Sequence, residues 1–130
     1  TLQHWEQQGV LLLNTALTVE AGKPGSHLEY WKYFIKRTVN FISINNPCIW
    51  LLWGKKAQAY TANMAKVFPA DRYDMSTIED IPIHPDYNYV FQAAHPAAEV
   101  YQTKAGFLGC GHFEKTNKIL AKQKKKEIIW

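Results

Sequence analysis

Three short apolar runs, each closed by a polar residue or a glycine, restrict the possible fold more than any other feature of this chain. They are Gly9-Val-Leu-Leu-Leu-Asn14, Ile49-Trp-Leu-Leu-Trp-Gly54 and Tyr89-Val-Phe-Gln-Ala-Ala94, the last leading into His95-Pro96. Continuous apolar runs of this length read as strands buried on both faces, the kind found in parallel sheets. Between the first two, Trp31, Phe34, Ile35, Thr38, Phe41 and Ile42 recur at helical spacing and stop near Asn45-Asn46-Pro47, the pattern of an amphipathic helix. A second helix is expected over Ala57 to Phe68, halted by Pro69, and a third over Gly109 to Gln123 with Phe113, Thr116 and Leu120 on one face. Alternating strands and helices predict an α/β fold, a three-layer α/β/α arrangement around a short parallel sheet. Ligands of such sheets sit beyond the carboxyl ends of the strands. Asn14, Gly54-Lys55 and His95-Pro96 are therefore expected to converge on one pocket.

The charge distribution adds to this. The net charge is +4. Residues 69–87 hold Asp71, Asp74, Glu79, Asp80 and Asp86 against Arg72 alone, a balance of 1 − 5 = −4, which leaves 4 + 4 = +8 on the remainder. This stretch, punctuated by Pro82 and Pro85, reads as an acidic inserted loop on a basic body. Such a body suits a polyanion on one face, though a solvated surface with a lysine-rich end explains the charge as well. No apolar stretch is long enough to span a bilayer. Two cysteines, Cys48 and Cys110, imply no disulfide framework, and an intracellular, reduced protein is expected. The chain opens without methionine and runs almost at once into an apolar segment, so an upstream segment is expected before Thr1.

Two residues stand out chemically. Asn14 either caps a turn or reads a base edge, since its amide offers a donor and an acceptor together. His95 is held extended by the following proline and is either a surface histidine or a donor to charge developing on an oxygen. The loop from Gly22 to His27 and the Gly54-Lys55 pair offer backbone N–H groups, a hydroxyl and an ammonium suited to phosphates. Cys110 and His112, combined with His27, His84 or Cys48, lack the second well-spaced pair that a zinc site needs. Cys110 lies in an apolar run where a buried, inert thiol is expected.

Several blocks together resemble the family-1 uracil-DNA glycosylases. They are residues 8–22 (QGVLLLNTALTVEAG), Ser26-His27, Trp31 with Phe34, residues 51–58 (LLWGKKAQ), His95-Pro96, and residues 106–113 (GFLGCGHF) with Asn117. The blocks stand in the family's order and cover most of the chain outside residues 59–87. The resemblance implies a uracil-DNA glycosylase-like fold, with residues 1–130 as the C-terminal part of a single domain and 69–87 as its acidic inserted loop. It implies base excision repair without a cofactor or metal, in which deoxyuridine is flipped out of DNA and its glycosidic bond hydrolysed. In this alignment Asn14 contacts the uracil edge and His95 hydrogen-bonds the departing base. Ser26, His27, Gly54 and Lys55 lie along the DNA. Implied partners are uracil-containing DNA and a uracil-mimicking inhibitor protein, with a monomer outside the membrane. Implied locations are the cytoplasm of a bacterium, or the nucleus or mitochondrion of a eukaryote.

The departures from the family pattern are specific. The family's GQDPYH string, which carries the water-activating aspartate, does not occur and is expected upstream of Thr1. The family's His-Pro-Ser-Pro-Leu-Ser becomes His95-Pro-Ala-Ala-Glu-Val100, so both serines are lost and Glu99 stands where the wedge leucine is expected. Val100 or Tyr101 is then the expected DNA wedge. These 130 residues alone are expected to release little or no uracil, and the alternative reading is a glycosylase-derived DNA-binding module without catalysis.

Overall fold

The computed structural model describes residues 2–14, 21–23, 26–95 and 110–130. In chain order the elements are α1 (Leu2–Glu6), α2 (Leu28–Asn45), β1 (Ile49–Trp53), α3 (Lys55–Gln58), a 3-10 turn (Ala59–Asn63), β2 (Val67–Pro69), a second 3-10 turn (Ile78–Asp80), β3 (Asn88–Ala93) and α4 (His112–Lys122). The three strands form one sheet in the order β1-β3-β2. Both pairings are parallel, with Leu51 opposite Phe91 and Phe68 opposite Tyr89.

Side chains of a strand alternate between the two faces of its sheet, and here each face has its own core. Trp50, Leu52 and Val90 pack with Ile35 and Val39 of α2 and with Met64. Ile49, Leu51, Tyr89 and Phe91 pack on the other side with Ile119 of α4 and with Ala70, Ile78 and Ile81. The sheet thus lies between α2 and a second layer shared by α4 and the loop 70–87. Residues 70–87 contain one 3-10 turn and no strand or α-helix, and their carboxylates are exposed. Ile78 and Ile81 of this loop, however, are 1% and 0% exposed, so it forms part of the core rather than an appendage. Asp74 organises its turn by accepting from the hydroxyl and backbone N–H of Ser76 and then from those of Thr77, and these bonds, the Ser76 hydroxyl foremost, hold its carboxyl below the usual range.

Two sequence expectations are corrected. Residues 10–14 form no regular element, and Leu11, Leu12 and Leu13 are 68%, 49% and 37% exposed. An apolar run becomes a buried strand only where a neighbouring strand completes its ladder, and the described sheet does not include it. The expected helix over Ala57 to Phe68 is shorter: one turn of α3, one 3-10 turn, and then β2, which ends on the proline expected to halt the helix. Proline lacks an N–H, but at the end of an edge strand its carbonyl and ring are still accommodated.

Asn88 joins α2 to the sheet. Its side-chain oxygen accepts from Cys48 N–H (3.2 Å) and Trp50 Nε1–H (2.9 Å). Its amide nitrogen donates to the carbonyls of Ser43 (2.9 Å) and Ala65 (2.7 Å). All four hydrogen-bonding positions of a fully buried amide are therefore satisfied. At the opposite side, α1 docks on the end of the chain: Trp5 Nε1–H donates to Trp130 O (2.9 Å), and the Gln8 amide exchanges bonds with the backbone of Ile129.

Candidate active site

β1 and β3 are paired and parallel, so their carboxyl ends lie side by side. Gly54 follows the first and His95 the second. Gly54 N–H donates to Ala93 O (2.8 Å), which carries the ladder one residue beyond β1. Gln58 Nε2–H reaches the same carbonyl (2.8 Å) and braces the turn from α3. Gly54 has φ +93° and ψ 159°, a region essentially reserved for glycine. A Cβ at this position would lie 3.2 Å from the Cβ of His95. The two residues are thus in contact, with His95 exposed at the edge and Lys55 opening α3 beside it into solvent.

The remaining expected site residues are distributed as follows. Ser26 is exposed and His27 half-buried immediately before α2, where the His27 ring meets Tyr30 edge-on at 5.1 Å. Asn14 is exposed in the irregular run 10–14, so the premise that it tips a strand of the same sheet as His95 does not hold. Val100 and Tyr101 lie outside the described residues. In the sequence Gln58 is only the last residue of the block 51–58; its bond to Ala93 O gives it a bracing role that no local pattern signals.

His112 and Cys48 have other engagements. His112 is 2% exposed. Its Nδ1 accepts from Trp53 Nε1–H (3.1 Å), which places the ring proton on Nε2, 3.8 Å from the Asp71 carboxylate. Asp71 in turn accepts from Gln92 N–H (2.7 Å). This chain of contacts ties β1, α4, the acidic loop and β3 together beneath the carboxyl ends of the strands. Burial pushes the Cys48 thiol up to about 11, against a smaller opposing effect of Lys125, so it stays protonated and weakly nucleophilic near neutrality.

The sequence profile of the Uracil DNA glycosylase superfamily matches residues 1–121. The chain belongs to that superfamily. It is 40% identical over 133 residues to the uracil-DNA glycosylase of Buchnera aphidicola subsp. Baizongia pistaciae (strain Bp), covering 99% of this chain and 49% of the relative. It is 37% identical over 131 residues to the uracil-DNA glycosylase of Buchnera aphidicola subsp. Acyrthosiphon pisum (strain Tuc7), covering 99% and 50%. The uracil-DNA glycosylase of Alcelaphine herpesvirus 1 (strain C500) is 36% identical over 136 residues, covering 99% and 46%. The chain therefore spans about half the length of these curated relatives. Membership accounts for the α/β fold with its short parallel sheet. Within that fold, the contact between Gly54 and His95 is the part of the expected site that the geometry brings together. No helix among the described residues is long and apolar enough to cross a membrane.

Proposed function

We propose that this chain is the base-reading and leaving-group part of a uracil-DNA glycosylase, a hydrolase of base excision repair that cleaves the glycosidic bond of deoxyuridine flipped out of DNA. The observation that carries the proposal is the packing of His95 on Gly54 at adjoining carboxyl ends of paired parallel strands, in a chain of this superfamily. His95 donates a hydrogen bond to the oxygen that gains charge as uracil leaves. One such preorganised donor is worth about 3 kcal/mol. Asn14 reads the uracil edge, and the wrong base leaves its amide unsatisfied. Gly54 and Lys55 meet phosphate from the side of β1, and Ser26 and His27 from the start of α2. Val100 or Tyr101 fills the stack that the flipped nucleotide vacates.

The test is uracil release from duplex DNA by a chimaera of residues 1–130 with the part of the Buchnera relative that this chain lacks. Residues 1–130 alone should release little or no uracil. In the chimaera, His95→Leu should slow single-turnover release by roughly 100- to 1,000-fold while DNA binding changes little. Asn14→Asp should admit cytosine, whose edge an aspartate matches better. A chimaera that folds and binds DNA but releases no base would favour a binding module instead. Equal losses of binding and release in His95→Leu would remove the assigned role of the histidine.

A further inference from the structure

α2 and the α3 to 3-10 segment border an open groove of about 440 Å³ lined by Glu29, Lys32, Lys36, Lys56, Tyr60 and Asn63, with two exposed alanines. The lining carries three lysines and one glutamate, a local balance of 3 − 1 = +2. None of the three lysines has an ion-pair partner among the described residues. Lys32 and Lys36 stand one helical turn apart on α2, a like-charge spacing that costs a helix a few tenths of a kcal/mol. An anion in the groove would offset this repulsion. Tyr60 adds a neutral hydroxyl donor: burial, and next the charge of Glu29, hold its phenol protonated beyond the ordinary range.

We propose that this groove is a second seat for the phosphate backbone of nucleic acid, continuous through Lys56 and Lys55 with the turn at Gly54. Only the identity of the polyanion rests on the glycosylase reading; the seat itself rests on the groove. Flexible ammonium groups without a bidentate arginine suit phosphate contacts that position a strand without reading its sequence. An acidic protein surface is the competing occupant. It is less favoured because the lysines continue through Lys56 and Lys55 to the carboxyl end of β1, along a line that suits an extended strand.

The test uses residues 1–130 and a uracil-free duplex, so that it does not depend on base recognition or catalysis. Anisotropy titrations over a salt series compare Lys32→Gln/Lys36→Gln/Lys56→Gln with a control of equal charge, Lys124→Gln/Lys125→Gln/Lys126→Gln. Each phosphate that a lysine no longer neutralises should lower the slope of log affinity against log salt by about 0.9. The groove triple should therefore flatten the slope by roughly two to three while the control leaves it nearly unchanged. Equal flattening in both would reduce the effect to net charge and overturn the seat. An unaltered slope in the groove triple would overturn it as well, and so would poly-glutamate binding in the groove more tightly than DNA. Should the triple fail to fold, the single Lys56→Gln, which leaves α2 untouched, should flatten the slope by about one, and no change there would overturn the seat.

Discussion

At the scale of single residues, Gly54 is the position where a small change should matter most. Its backbone conformation excludes other residues at a cost of about 1–3 kcal/mol, and an added Cβ would meet His95 at 3.2 Å. Gly54→Ala should therefore lower the urea unfolding free energy by about 1–3 kcal/mol and displace the histidine; a crystal structure of the variant with His95 unmoved would contradict this. Cys48 gives a pH signature. Its thiol is raised to about 11 from 9.0, chiefly by burial. Folding stability from the neutral thiol is thus fully present below pH 9 and is lost as pH rises through about 11. Iodoacetamide should modify Cys48 in the folded chain at pH 8 about tenfold or more slower than in urea, with the folded rate still climbing above pH 10.

At the scale of elements, the stretch 70–87 tests what its composition conceals. Ile81 is fully buried against Phe91 and Ile119, so Ile81→Ala should cost about 2–5 kcal/mol, while Asp86→Ala at the surface should stay within about 0.5 kcal/mol. Urea midpoints of the two variants decide this. In the sequence, the five carboxylates mask three apolar anchors spaced without helical or strand period. The legible elements are those with a sustained period: α2, α4, β1 and β3 fall within a few residues of their expected bounds. The run 10–14 and the stretch 57–68 depart from expectation for a shared reason. A strand depends on its neighbours, and a three-residue strand such as β2 carries too little pattern to reveal its own. Asn88 is equally hidden, because its four partners lie 23 to 45 residues away along the chain. Of the candidate site, the turn and the histidine are legible because each directly follows a strand. The groove lysines show in the sequence only as the polar side of a helix, since their convergence with Lys56 depends on how α2 packs against the 3-10 turn.

At the scale of the whole molecule, α1 and the turn after it are held against Ile129 and Trp130. Trp5 stacks edge-on against Trp130 at 5.5 Å and meets Phe113 at 5.9 Å, and Phe113 continues to Trp53 of β1. Asn117 clamps Ile128 through paired bonds of 2.8 and 2.7 Å. A load applied between first and last residues must open this aromatic clasp before it reaches the strands. Stretching single molecules from their ends should give a weak early extension step, absent in Trp5→Ala, ahead of the main rupture of the sheet. In this stretch of chain the clasp is expected to yield first, as a mechanical fuse that spares the strands behind it.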